Sequence, residues 1–160
     1  MIYVIMGVCG CGKSLIGKML ADKLGISFYE GDDFHPQSNV RKMRSGKALN
    51  DDDRKPWLEI MASQMQEWQE KGGAVLSCSA LKKKYRDILQ KNNEVRFVYL
   101  KGTPELIKQR MQSRKKHFMP IRLIRSQFDT LEEPDNAITA DIDDTPERIL
   151  ENIIKRLETH

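Results

Sequence analysis

No stretch of this 160-residue chain approaches the ~20 apolar residues needed to span a bilayer. That argues against a membrane protein. The opening Met1-Ile2-Tyr3-Val4-Ile5-Met6 has no basic leader and runs straight into a glycine loop, so it reads as a strand rather than a signal peptide. Cysteine is scarce. Cys9, Cys11 and Cys78 are odd in number and form no disulfide framework, so reduced thiols and a cytoplasmic location are expected. Cys9-x-Cys11 lacks the spacing and the second ligand pair of a zinc site. No excess of one charge sign stands out either. Twenty-seven basic against 23 acidic residues leave a net charge of +4, which does not demand nucleic acid. Such a mild surplus fits a cleft that holds phosphates or carboxylates. There is no repeat, low-complexity tract or linker, so residues 1–160 are read as one domain.

What remains is ordinary for a soluble globular protein, with 39% hydrophobic and 31% charged residues. Apolar β-prone segments at 2–6, 27–30, 74–77, 95–100 and 137–142 predict five strands. Helices are predicted over 13–24, 36–44, 51–71, 81–91, 104–113, 121–131 and 145–157. Leu15, Ile16, Met19, Leu20 and Leu24 set the spacing of the first, and Gly25 ends it. Strand and helix alternate throughout. The expected fold is therefore α/β, a five-stranded parallel sheet flanked by helices.

Gly7-Val8-Cys9-Gly10-Cys11-Gly12-Lys13-Ser14 matches G-x-x-x-x-G-K-[ST] between a strand and a helix. Its glycines permit torsions that turn successive N–H groups toward phosphate oxygens. The helix start adds partial positive charge. Lys13 is placed to reach the β- and γ-phosphates, and the Ser14 hydroxyl to ligate Mg²⁺. The motif establishes nucleoside triphosphate binding, with ATP and Mg²⁺ as the expected cofactors. It leaves the acceptor open.

Glu30-Gly31-Asp32-Asp33-Phe34-His35-Pro36 follows the second strand, and ligands of such sheets sit beyond the carboxyl ends of strands. Asp32, or failing it Asp33, is the candidate to accept a proton from an attacking hydroxyl. An Asx turn capping the next helix is the competing reading. His35 can donate to a polyol or be simply a partly buried polar residue. Arg54 can hold a carboxylate bidentately or pair within its own helix with Asp51 or Asp53. Lys82 can neutralise an acid, with Tyr85 and Arg86 a turn later on the same face; a solvated Lys82-Lys83-Lys84 face is the alternative. Arg110 and Arg114 lead into Lys115-Lys116-His117, a basic segment at about 110–120. It can close over the nucleotide as a lid, or simply complement a helix C-terminus.

These segments resemble the gluconate kinase family over nearly the whole chain. The resemblance rests on Met6 to Ser14, Gly31-Asp32, His35-Pro36 and Lys42-Met43 with Gly46. It rests more specifically on Asn50 to Leu58 and Cys78-Ser79-Ala80-Leu81-Lys82. Tyr85-Arg86-Asp87, Phe97 to Gly102, His117-Phe118, Gln127-Phe128, Leu131-Glu132 and Pro134 extend it. It implies a P-loop fold similar to shikimate and adenylate kinases, with a mobile lid, and the conversion of ATP and D-gluconate to ADP and 6-phosphogluconate with Mg²⁺. By that resemblance Asp32 orients or deprotonates the 6-hydroxyl, and Arg54, Lys82 and Arg86 hold the acid and the polyol. Arg110 lies near the adenine and Arg114 near the phosphates. Family members are often dimers, so a homodimer is an expected state. Many members carry Ser where this chain has Cys9 and Cys11, and thiols beside phosphates predict sensitivity to oxidation.

A kinase for another small acid, such as shikimate, is the nearest competing reading, because three cationic side chains suit any carboxylate. A nucleotide-binding module without turnover, associated with RNA, would need a basic stripe interleaved with aromatics. The 114–117 patch is short and has only Phe118 beside it.

Overall fold

The computed structural model describes residues 1–113 and 121–159, the side chain of Ile121 excepted. Arg114 and the rest of the expected lid beyond Ser113 lie outside the described residues. In chain order the elements are β1 (Ile2–Met6), α1 (Lys13–Leu24), β2 (Ser27–Glu30), a 3₁₀ turn (Gly31–Phe34), α2 (Gln37–Arg44), α3 (Asp51–Glu70) and β3 (Ala74–Ser77). There follow α4 (Lys83–Gln90), β4 (Val95–Lys101), α5 (Pro104–Ser113), α6 (Ile121–Thr130), β5 (Ile138–Asp141) and α7 (Pro146–Thr159). The five strands pair in parallel in the order β2-β3-β1-β4-β5. Val4 of β1 lies in register between Leu76 of β3 and Phe97 of β4.

Both faces of this sheet are covered, as parallel sheets require. Alternate residues serve opposite faces. Ile5, Val75 and Val98 pack with Ile16 and Leu20 of α1 and Ile149 and Ile153 of α7. Val4, Met6, Leu76 and Phe97 pack with Leu58, Met61 and Met65 of α3 and Tyr85 and Leu89 of α4. Each such side chain contributes about 1.5–3 kcal/mol when fully buried.

The helices differ in detail from their apolar spacing. In α1 the buried face is Ile16, Gly17, Leu20 and Ala21, whereas Leu15 and Leu24 are exposed. Gly17 sets that rotation, because a Cβ there would lie 2.5 Å from the Phe28 ring. Helix α4 starts at Lys83 rather than residue 81. The Leu81 carbonyl accepts instead from the Glu132 N–H at 2.7 Å, and Ala80 sits in the left-handed region at φ 44°. Helix α3 opens with a reciprocal cap: the Asp53 N–H donates to Asn50 Oδ1 at 2.8 Å, and the Asn50 N–H donates to Asp53 Oδ2 at 2.9 Å. Among the described residues no helix is long and apolar enough to cross a membrane.

Central β1 delivers the phosphate loop to the carboxyl edge of the sheet. From there the chain runs to β2 on one side, while β4 leads to β5 on the other. Diverging connections of this kind open a crevice at the strand ends.

Candidate active site

The loop between β1 and α1 is shaped by three glycines with positive φ: Gly7 at 146°, Gly10 at 77° and Gly12 at 95°. Gly7 is also closely packed, since a Cβ there would lie 2.9 Å from the Leu100 carbonyl oxygen. Lys13 reaches back across the loop, and its Nζ donates to the Val8 carbonyl at 3.0 Å. Cys11 is buried and Cys9 half-buried. Burial pushes the Cys9 thiol up, against the pull of nearby Lys13. Oxidation proceeds through the thiolate, so this environment opposes the sensitivity expected of a thiol beside phosphate.

Glu30, which sequence reasoning left without a role, joins the loop to the acceptor side. Its Oε2 accepts from the Ser14 hydroxyl at 2.6 Å, and its Oε1 from the Ser77 hydroxyl at 2.5 Å. One carboxylate at the end of β2 thus ties the end of β3 to the start of α1. The signal was available: an acidic residue in the last position of a strand beside the phosphate loop. Gly31 follows, clamped by the Ser77 hydroxyl on its N–H at 3.3 Å and by the Trp57 indole N–H on its carbonyl at 2.8 Å.

A cavity of about 200 Å³ opens beside this junction. Lys13, Glu30, Asp32, His35, Arg54 and Trp57 all line it, and Asp33 is not among the lining residues. The Asp32 carboxylate stands at the mouth with its side chain 84% exposed, 3.9 Å from His35 Nε2. The His35 side chain is only 4% exposed and stacks on Trp57, with centroids 4.1 Å apart. The Asn39 amide donates to the Asp53 carbonyl at 2.8 Å and lies 3.2 Å from His35 Nδ1. Because that amide nitrogen is a donor, Nδ1 must accept, which leaves Nε2–H as the ring's donor. Burial lowers the His35 pKa, with Arg54 adding to the effect and Asp32 opposing it. The ring is therefore a neutral, correctly turned donor.

Arg54 has not paired with Asp51 or Asp53 of its own helix. Its Nη1 donates to the Tyr85 hydroxyl at 2.8 Å, with the guanidinium carbon 5.3 Å from the ring centroid. Tyr85 in turn donates to Asp51. Asp51 also takes Lys84 and, at 3.0 Å, Lys82, and these hydrogen bonds hold its carboxyl far below the usual range. Asp53 is engaged by Lys42 at 2.6 Å. Tyr85, buried against α3, thus aims Arg54 from behind.

Two expected acceptor ligands are placed elsewhere. Lys82 does not line the cavity; its ammonium goes to Asp51. Arg86 is 6% exposed, and its two terminal nitrogens donate to the Ala80 carbonyl at 2.8 Å and the Glu132 carbonyl at 2.9 Å. It is a buried clamp on the loop before α4. Burial pushes its pKa down. The cavity instead recruits Lys47, Gln127 and Ser126, to which sequence reasoning assigned no role. Arg110 donates to the Ile142 carbonyl at 2.6 Å, beside the loop after β5.

The chain as a whole is similar to known proteins. The family model for shikimate kinase matches residues 9–158. The thermoresistant gluconokinase of Escherichia coli K12 is 42% identical, over 96% of this chain and 91% of that protein. The gluconokinase of Arabidopsis thaliana is 45% identical, over 82% of this chain and 77% of that protein. A gluconokinase crystal structure from Sinorhizobium meliloti 1021 superposes with a TM-score of 0.91 at 38% identity, covering 98% and 91% of the two chains. Shikimate kinase from Aquifex aeolicus shares the fold, with a TM-score of 0.59 at 18% identity. From sequence and architecture alike, the chain belongs to the gluconokinase family, within the fold shared with shikimate kinase.

Proposed function

We propose that this chain transfers the γ-phosphoryl group of ATP to the 6-hydroxyl of D-gluconate, giving ADP and 6-phospho-D-gluconate. The observation that carries the reading is the contiguity of the phosphate loop with a cavity that is cationic at Arg54 and Lys47 and acidic at Asp32. A sugar acid has the matching polarity: a carboxylate for the cations and a hydroxyl for the acid. The family relatives single out gluconate, where cationic side chains alone would suit shikimate equally.

Each step has a named group. The loop amides and Lys13 hold the β- and γ-phosphates and offset the charge that develops during transfer. Arg54, steadied by Tyr85, holds the carboxylate of the acid. His35 Nε2–H donates to a polyol oxygen. Asp32 orients the 6-hydroxyl and takes its proton as the new P–O bond forms and the bond to the bridging oxygen of ADP breaks. Arg110 sits near the base, and Arg114 is proposed to supply charge to the phosphates. The oxygen donors of Ser14 and Glu30, already 2.6 Å apart, fit Mg²⁺, a hard ion that takes one or two protein oxygens together with substrate phosphates. When bound, that ion supplies charge neutralisation on the phosphate oxygens.

A coupled ADP-release assay across gluconate, shikimate and other sugar acids tests the reading. Gluconate-dependent release is expected in the parent and its near-complete loss in Lys13→Ala. Asp32→Asn is expected to lower kcat about 10²- to 10⁴-fold with little change in ATP affinity. Release no faster with any acid than without one would refute the assignment.

A further inference from the structure

Gln127 is the least explained side chain at the centre of the site. Its Oε1 accepts from the backbone N–H of Cys9, in the phosphate loop, at 2.6 Å. The two residues are 118 positions apart, so the contact is tertiary. Cys9 N–H can only donate, so the amide is turned with its oxygen on the loop. Among the described residues, no protein acceptor meets the nitrogen, Nε2. Leu123, Ser126 and Gln127 of α6 all line the cavity, at the i, i+3 and i+4 spacing of one helix face.

The placement does not depend on this one bond. Arg122 donates to the Gly46 carbonyl at 3.0 Å, tying the start of α6 to the α2–α3 loop. At the other end the Glu132 N–H donates to the Leu81 carbonyl, Arg86 to the Glu132 carbonyl, and the Lys83 N–H to Glu132 Oε1 at 2.9 Å. Helix α6 is a roof pinned at both ends, and Gln127 projects from it where the phosphate loop meets the acceptor cavity.

We propose that Gln127 is a catalytic contact residue, whose Nε2–H donors bind the oxygens that meet at this junction: those of the incoming phosphoryl group and of the acceptor hydroxyl. The loop amide serves as its orienter. A single hydrogen bond thereby couples the shape of the phosphate loop to the grip on the acceptor. The assignment rests on the kinase reading above and adds a residue to it.

Gln127→Glu is the discriminating variant, because it keeps an oxygen for the Cys9 N–H and removes both donors. Gln127→Leu removes everything polar. Three quantities are read on each: gluconate-dependent kcat/KM, the Kd of a non-hydrolysable ATP analogue, and the melting temperature. Both variants are expected to lose about 10- to 100-fold in kcat/KM, the loss typical of one hydrogen bond to a charged partner, while analogue binding weakens by a clearly smaller factor. Gln127→Glu retaining parental kcat/KM would overturn the proposal, leaving Gln127 as a support for the loop alone. Analogue binding that weakens in step with turnover would also overturn it. So would binding that tightens, which would mark Gln127 as a latch that the nucleotide must displace. A parent chain that turns over no acid defeats the kinase reading and this one with it; an active parent with unaffected variants defeats only this one.

Discussion

Gly31→Ala tests whether the geometry at the end of β2 is as tightly set as the contacts imply. A Cβ on Gly31 would lie 2.1 Å from the Ser77 backbone oxygen and 3.2 Å from its carbonyl carbon. Real contacts of this kind are not closer than about 3.0 Å, so the gap must open by most of an ångström. No flexible side chain is available to yield, because the obstacle is the backbone of β3, buried inside the sheet. The strands must part, and Gly31's bonds to Ser77 and Trp57 stretch with them. Overpacking typically costs about 1–3 kcal/mol, and a strained hydrogen bond adds about 1 kcal/mol. A total near 3 kcal/mol lowers the melting temperature by about 6–12 °C in a domain of this size. Activity suffers separately, because Glu30 and Asp32 flank the displaced residue, and a 1 Å misplacement can cost about 100-fold in rate. Gly25→Ala is the control: φ is 70° there but nothing lies within 4 Å of the new Cβ, so only about 1–2 kcal/mol of left-handed strain is expected, with kcat/KM intact. Calorimetry and the ADP-release assay read both effects. Gly31→Ala melting within 2 °C of the parent with full activity would refute the argument.

Two further outcomes follow from the contacts. Tyr85→Phe removes the hydroxyl that links Arg54 to Asp51, so the KM for gluconate should rise several-fold with a smaller change in kcat; an unmoved KM in steady-state kinetics would show that Arg54 needs no such support. His35 titrates below its unfolded value of about 6.5 because it is buried. The unfolded chain therefore binds more protons at acid pH, so the His35 contribution is complete above about pH 6.5 and is lost as pH falls. Urea midpoints measured from pH 7.5 to 5 should drop more for the parent than for His35→Gln, and parallel curves would contradict the assignment.

The sequence carried the elements and the phosphate loop, because both are local. Apolar β-prone runs mark the strands, four of which adjoin a glycine, and the loop's glycines declare their torsions. Strand order was not legible, since β1 pairs with β3 and β4 through residues 72 and 93 positions away. The acceptor side divided along the same line. Arg54 was ambiguous locally, and only Tyr85 from α4 decides that it faces the cavity. Lys82 and Arg86 looked equivalent to Arg54 as cations suited to a carboxylate. Their partners, Asp51 on α3 and the carbonyls of Ala80 and Glu132, are invisible without the fold. Gln127 stood within the family segments with no chemistry to mark it, because an amide shows its purpose only through what it touches.

The strap between the end of α6 and the start of α4 has a consequence for changing what this pocket accepts. Because the Glu132 backbone, held by the Leu81 carbonyl and the Arg86 guanidinium, lashes ceiling to floor, trimming a wall residue such as Leu123 widens the chamber only locally. Headroom for a bulkier guest would come from altering the length of the 131–135 connection, where a residue inserted or removed would raise or lower the whole helix.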